Sequence, residues 1–160
     1  MAKASLVAQL LAIVDQAYDH RSWHGTNLRG SIRGLSPADA RWRPAPGRHN
    51  IWELVVHAAY WKYAVRRRLL KERRGSFAIK GSNWFARPEE QSDRAWRADI
   101  VLLHKEHRAL REVIAGLSDR DVLKHARGGG TSTFALVSGI AAHDLYHAGQ
   151  IAILRKVLAR

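Results

Sequence analysis

Two histidines near the C-terminus, His143 and His147, are four residues apart. On a helix of about 3.6 residues per turn, this spacing places both imidazoles on one face, roughly 40° from each other. Ile140, Gln150 and Leu154 fall on the same stripe, so the two rings are expected to point toward the core. Buried imidazoles need partners. Either each ring is hydrogen-bonded within the core, or the pair holds a metal ion, which this spacing allows.

A third histidine, His57, lies on the inward stripe of an earlier segment. Asn50 followed by Glu53 is typical of a capping box that begins a helix, and His57 shares its face with Leu54 and Trp61. Two nitrogens do not make a stable metal site. A third inward imidazole therefore strengthens the prediction that the chain binds a metal ion.

These two segments resemble the DinB-like family, also called the DinB/YfiT superfamily. The resemblance is carried by the pattern H-x-x-Y-H-x-G-Q-I at residues 143–151 and by I-W-E-L-V-x-H-x-A-Y-W at residues 51–61. It implies a four-helix bundle that holds a divalent metal, usually zinc or nickel, by one histidine of the second helix and two of the last. Matched position by position, these ligands are His57, His143 and His147.

The resemblance also implies an activity. Several relatives are metal-dependent thiol transferases or isomerases, so we expect a transferase or hydrolase-type enzyme that uses a low-molecular-weight thiol and an open coordination position. Such bundles often dimerise, and the six tryptophans offer aromatic surface for a homodimer. Two alternatives stay open: a non-catalytic bundle that the metal stabilises, and a stress- or DNA-damage-associated binding protein.

Five further side chains are candidates for the pocket or for groups that orient the ligands: His24, Trp61, His107, Tyr146 and Gln150. His24 forms a second i, i+4 pair with His20 if the first helix continues that far. His107 lies on the inward stripe of the third predicted helix. Three roles stay open for it: a fourth ligand, a group that orients a ligand, or a hydrogen-bonded core residue. Asp144 and Tyr146 lie about 100° and 60° around the helix from His143, so they can act only from behind the ligands. We assign no general base.

The elements that must position these residues are four amphipathic helices. We predict them over residues 3 to about 20, Ile51 to Arg74, Pro88 to Leu117, and from a Thr or Ser cap near residue 132 onward. They predict an all-α fold: an antiparallel four-helix bundle with long connectors between helices 1 and 2 and between helices 2 and 3. The whole chain, residues 1–160, is expected to form a single domain.

Two connectors carry features of their own. Phe77, Trp84 and Phe85 lie between the second and third helices, and such aromatic groups either dock on the bundle as a plug or act as a lid over a pocket. The glycine run at residues 128–130 precedes the last helix. This run predicts either a flexible turn before the helix cap or backbone amides that bind an anion. The lysine and the preceding strand of a P-loop are absent from the sequence.

Composition excludes several kinds of chemistry. The chain has no cysteine, so metal ligands must be His, Asp or Glu, which favours zinc, nickel or cobalt. Lys and Arg number 27 against 14 Asp and Glu, for a net charge of +13. This charge favours a polyanion partner such as nucleic acid, but no groove-reading motif accompanies it. The basic run at residues 66–74 also fits the solvated end of a helix.

The first residues predict a helix of the mature protein. Gln9 and Asp15 interrupt the apolar run, and its spacing is amphipathic, unlike that of a signal peptide. No stretch approaches the roughly 18 apolar residues that a membrane span requires. We therefore expect a cytoplasmic protein without a membrane anchor.

Overall fold

The computed structural model describes residues 5–87, 92–124 and 130–159, and these contain seven helices. Four of the helices are long: α1 (Leu6–Tyr18), α4 (Ile51–Leu69), α5 (Asp93–Ala115) and α7 (Thr133–Leu158). Three are short: α2 (Leu28–Ser31), α3 (Pro37–Arg41) and α6 (Asp119–Val122). No strand is present in these ranges, so the predicted all-α class is confirmed.

Each long helix begins at a side-chain cap that the sequence encodes. Ser5, Asn50, Ser92 and Ser132 each accept a hydrogen bond from the backbone N–H three residues further on. Such a cap contributes about 1 kcal/mol to stability because it satisfies an N–H that the helix leaves free. The predicted capping box of Asn50 and Glu53 is present at the start of α4, and it fixes the rotational setting of the helix that carries His57.

Several predicted helix ends were wrong. The first helix ends at Tyr18, not near residue 20, because Asp19 leaves the helical region with φ −148°. The second ends at Leu69 rather than Arg74, and Lys71 then adopts a left-handed conformation with φ 58°, which stops the helix. The third runs from Asp93 to Ala115, capped by Ser92, while Pro88 lies outside the described residues.

The four long helices pack in a closed ring. α4 contacts α5 and α7, and α1 contacts the same two helices. One apolar cluster forms around Trp52, Leu103 and Ile151, and a second around Leu10 and Leu110. Burying one such side chain contributes roughly 1.5–3 kcal/mol. Because α4 contributes to both clusters, its inward polar side chains are held within the core.

The connector from α4 to α5 is docked on the helices, as the plug alternative predicts. Phe85 is buried, and its ring packs against those of Phe77 and Tyr60 at centroid distances of 5.3 and 5.5 Å. Asn83 has φ 62°, and Ser82 and Trp84 form an isolated bridge around it. Of the glycine run at residues 128–130, only Gly130 lies within the described residues.

No helix among the described residues is both long and apolar enough to cross a membrane.

Candidate metal centre

Three imidazoles from two helices converge in the structure. His57 comes from α4, and His143 and His147 come from consecutive turns of α7. The Nε2 atom of His143 lies 3.2 Å from Nε2 of His57 and 3.0 Å from Nε2 of His147. One nitrogen from each ring lies within 4.8 Å of the other two, and no other His, Asp or Glu of the described chain belongs to this group. The structure therefore brings together the three residues that the sequence selected.

Hydrogen bonds behind two of the rings fix which nitrogen carries the proton. Nδ1 of His57 lies 2.8 Å from the backbone oxygen of Asn83, and Nδ1 of His147 lies 2.7 Å from Oε1 of Gln150. Both oxygens can only accept, so each Nδ1 donates and each Nε2 presents a lone pair. Nδ1 of His143 is buried with no hydrogen-bond partner in the described chain. Asn83 and Gln150 thus aim the Nε2 lone pairs at one another.

The surroundings of the three rings keep them neutral. Burial lowers the pKa of His143 to about 3, and the neighbouring His147 and His57 lower it in the same direction. Burial lowers the pKa of His147 to about 4, although the hydrogen bond to Gln150 opposes it. The pKa of His57 is also below its usual range, chiefly through burial. At neutral pH the cluster therefore carries no compensating proton.

This arrangement fits a divalent metal ion. A single proton on one Nε2 can bridge to only one neighbour well, so at least one lone pair would still face another. A cation satisfies all three at once. Nitrogens that bind one ion at roughly 2.0–2.1 Å in tetrahedral geometry lie about 3.3 Å apart, close to the two separations in the cluster. Three imidazoles without a thiolate are a donor set that suits zinc or nickel.

A stack of aromatic rings supports His57 from the connector side. The ring of Trp84 lies between His49 and His57, at centroid distances of 3.5 and 3.9 Å. The indole Nε1 of Trp61 donates to Oδ1 of Asn83 at 3.0 Å, which fixes the residue whose carbonyl binds His57. Sequence reasoning did not assign Asn83, Trp84 or His49 to the site. The aromatic connector was the only signal that could have found them.

The connector before α4 contributes a second supporting network. Nδ1 of His49 donates to Glu53 at 3.1 Å, and the guanidinium of Arg43 binds the same carboxylate at 2.7 and 3.0 Å. Burial opposes ionisation of Glu53, but these hydrogen bonds outweigh it, and the pKa of the carboxyl lies below its usual range. The ring of His49 is therefore held in place beside the cluster.

A groove adjoins the cluster at His147. It has a volume of about 690 Å³, and His147 and Gln150 form part of its lining together with His49 and Trp84. Tyr146, a candidate for the pocket or for a group behind the ligands, lines this groove and is 64% exposed. A smaller cavity of about 150 Å³ lies on the His143 side of the cluster.

Two of the predicted pocket residues lie elsewhere. His24 is exposed and contacts Ser22 and Trp23, because α1 ends at Tyr18 and the predicted stripe does not continue. His107 is buried as predicted, but its ring stacks on that of Tyr18 at 3.6 Å and does not join the group of three. Trp61 and Gln150 do lie beside the cluster.

The comparison with known proteins agrees with the motifs. The family model described as the DinB superfamily matches residues 20–151, a range that includes all three histidines. No curated protein and no solved structure matches the chain.

Proposed function

The chain belongs to the DinB superfamily, and from that membership and the convergence of His57, His143 and His147 we propose a metal-dependent enzyme. The three histidines hold a divalent ion, zinc or nickel, by their Nε2 atoms. The reaction class is transfer or hydrolysis, with a low-molecular-weight thiol as the expected substrate of a transferase.

One observation carries the proposal: three neutral Nε2 lone pairs face one another, and none of them has another hydrogen-bond partner among the described residues. When bound, the ion would supply Lewis acidity, which favours the deprotonated form of a thiol or water beside it. Since the group contains three side chains among the described residues, a coordination position is left for a substrate, as in catalytic rather than structural sites. The adjoining groove gives that substrate a place to bind.

The chain's own residues have three tasks in this proposal. Asn83 and Gln150 hold His57 and His147 in the tautomer that binds an ion. The Trp84 ring covers one side of His57 and excludes water there. His49, held by Glu53, stands at the groove wall.

Metal analysis tests the site directly. Protein purified without added metal or a histidine tag is analysed for its elements before and after incubation with zinc or nickel. We expect about one ion per chain in the wild type, and none in His143→Ala with the helical circular-dichroism spectrum retained. His24→Ala removes an exposed histidine outside the cluster and is expected to keep the ion. Retention of metal by His143→Ala would overturn the proposal.

A second measurement separates an enzyme from a non-catalytic clamp between α4 and α7. Zinc- and nickel-loaded protein is assayed with cysteine as the thiol and a chromogenic aryl halide as the electrophile. An enzyme gives turnover that His143→Ala abolishes. A clamp gives none, and its bound ion has no exchangeable water, while a chelator lowers the melting temperature steeply.

Three further proposals concern arrangement and partners. The ring of contacts among the long helices supports a four-helix bundle, whose neighbouring helices we propose to be antiparallel. We also propose a homodimer, and analytical sedimentation of the purified protein measures whether the chain is a dimer in solution. The +13 charge favours binding to nucleic acid, and such binding would weaken steeply as the salt concentration rises. If no binding is detected at 50 mM salt, the nucleic-acid proposal is wrong.

A further inference from the structure

We propose that the groove beside the three histidines binds a small anionic amphipathic molecule, with its charged head near Arg48 and His49 and its apolar tail along α7. This ligand would be the substrate of the proposed metal site, so its catalytic role rests on the proposed function. Binding in the groove, however, requires no metal ion and can be measured separately.

The dimensions of the groove suit a small elongated ligand. Its volume is about 690 Å³, within the roughly 300–1,000 Å³ that is usual for small-molecule sites. Its α7 wall runs from Tyr146 to Val157. The ten steps of 1.5 Å from His147 to Val157 span about 15 Å of helix. A ligand with its head at the histidines can therefore lay its tail along three turns of α7.

The lining changes from polar to apolar along this wall. His147 and Gln150 lie at the end beside the cluster, and Ile153, Leu154 and Val157 follow further along the helix. Ile153 is 64% exposed and Val157 is 43% exposed. Covering these side chains with an apolar tail would remove them from water, at about 25 cal/mol for each Å² covered.

The charge of the groove favours an anion. Arg48 lies on the groove wall, and its guanidinium has no hydrogen-bond or ion-pair partner among the described residues, whereas the nearby Arg43 is bound to Glu53. No Asp or Glu contributes to the described lining. A carboxylate or similar group can therefore pair with Arg48 with no carboxylate of the described lining opposing it, and the Glu53 carboxylate behind His49 is already bound to Arg43. A cationic ligand would meet the charge of Arg48 and find no carboxylate in the described lining.

The shape of the surface favours a small molecule over a second copy of the chain. The apolar part of α7 does not lie on a flat face. It forms one wall of a concavity whose other wall includes Pro44, Ala45 and the ring of Trp84. His147 of the cluster and its hydrogen-bond partner Gln150 line the same concavity. A small ligand can enter this concavity, whereas a flat protein surface cannot.

Calorimetric titration with three eight-carbon probes tests the proposal. Octanoate, octan-1-ol and octylamine are titrated into chelator-treated protein and into zinc-loaded protein. We expect octanoate to bind the metal-free chain at least about fivefold more tightly than either of the other two. The neutral alcohol measures the contribution of the tail, and the amine measures the preference for charge.

Matched variants locate the binding. Ile153→Asp, or Val157→Asp in its place, puts a carboxylate among the apolar side chains and is expected to weaken octanoate binding at least about tenfold. Val101→Asp changes a residue that is similarly exposed, at 61%, on α5 and should leave it unchanged. Arg48→Gln should weaken octanoate binding about threefold to tenfold without affecting octan-1-ol. Arg94→Gln, an exposed arginine of α5, is its control.

Three results would overturn the proposal. The first is equal binding of all three probes. The second is octanoate binding that Ile153→Asp and Val157→Asp leave unchanged, which would place the probe elsewhere, such as in the basic cavity lined by Arg29, Arg33 and Arg97. The third is a dimer that sediments as monomer in Ile153→Asp, because the surface would then be an interface between copies.

Failure of the proposed function gives a different pattern. If the chain binds no zinc or nickel but octanoate still binds the metal-free protein and responds to the variants, the groove proposal stands and the metal proposal falls.

Discussion

Two groups of polar side chains in the described part of the bundle each draw on both α4 and α7, and the second also draws on α1 and α5. The first is the three-histidine cluster. The second, the Lys62 cluster, consists of Tyr18, Lys62, His104, His107 and Asp144. In it Lys62 forms an ion pair with Asp144, each with 1% of its side chain exposed, and the Tyr18 hydroxyl is hydrogen-bonded to His104. His107 stacks on the Tyr18 ring, and the Lys62 ammonium lies 4.8 Å from that ring's centroid.

The two groups differ in how their polar atoms are satisfied. In the Lys62 cluster opposite charges and ring faces pair with one another, and only Oδ1 of Asp144 and Nδ1 of His107 are left over. In the three-histidine cluster the Nε2 atoms point at one another and their outer nitrogens are turned away. His143 and Asp144 are adjacent in sequence yet belong to different groups. Burial of a polar residue therefore does not by itself support a binding site, and the proposed metal site depends instead on the convergence of like lone pairs.

The largest effect is expected from breaking the Lys62 cluster. Lys62→Met leaves the carboxylate of Asp144, whose pKa burial already raises, without its ion-pair partner. Removing one member of a buried pair costs about 3–5 kcal/mol. We expect urea unfolding to show a loss of this size, and the double variant Lys62→Met/Asp144→Leu to recover most of it. A single-variant loss below about 1 kcal/mol would contradict the contrast between the clusters.

A bound metal ion is expected to stabilise the protein only through the three-histidine cluster. A ligand that binds the folded chain at 100 times its dissociation constant raises the free energy of unfolding by about 2.7 kcal/mol. We expect zinc to produce a shift of this order in the wild type and none in His57→Ala, measured by urea unfolding with zinc or with a chelator. An equal shift in both proteins would show that zinc binds outside the cluster.

The hydrogen bond behind His147 should tune metal affinity. Gln150→Leu removes the acceptor that holds the ring, and the loss of such a partner lowers affinity about 10- to 100-fold. Gln150→Glu keeps an acceptor at the same place and is expected to retain affinity. Competition with a chromogenic chelator measures both, and equal weakening in the two variants would indicate a role for Gln150 other than accepting this hydrogen bond.

The smallest effect is expected for the pH dependence of stability, through His107 of the Lys62 cluster. Burial holds the pKa of His107 well below its usual range, and Lys62, Arg111, His104 and His20 act in the same direction. The folded state therefore stays unprotonated there while the unfolded chain takes up a proton below about pH 6.5. Stability from this residue is present above that pH and falls by about 1.4 kcal/mol per pH unit below it.

Replacing His107 should remove this pH dependence. We expect His107→Phe to lose less stability than the wild type between pH 6.5 and 5 in urea unfolding. His24→Phe, which changes an exposed histidine, should behave as the wild type. A wild-type slope in His107→Phe would show that other groups dominate the acid response.

Much of the fold could be predicted because it is encoded locally. The caps Asn50 and Ser132 and the apolar stripes of the four long helices are short-range signals. The ends were harder to predict. Only the backbone reversal at Lys71 and the departure from helical geometry at Asp19 fix where α4 and α1 stop, and neither residue type requires it.

The three histidines could be selected because each lies on an inward stripe and each matches a position of the DinB-like motifs, but their supporting residues could not. Asn83 accepts from His57 through a backbone carbonyl, which any residue type offers. Trp84 reaches His57 only because its connector docks on the helices. The separation of His107 from the site likewise depends on how α5 packs beside α1, where the ring meets Tyr18.

The sequence by itself determined approximately where the four long helices lie and which of their faces turn inward, since spacing along a helix fixes direction, and its motifs indicated which three imidazoles to expect together. Only the tertiary structure decided that these imidazoles meet nitrogen to nitrogen, that Asp144 pairs with Lys62 across 82 positions of the chain, and that a groove opens beside His147. The reason is geometric, because distances between helices and the path of a docked connector depend on the packing of all side chains together and not on any local pattern.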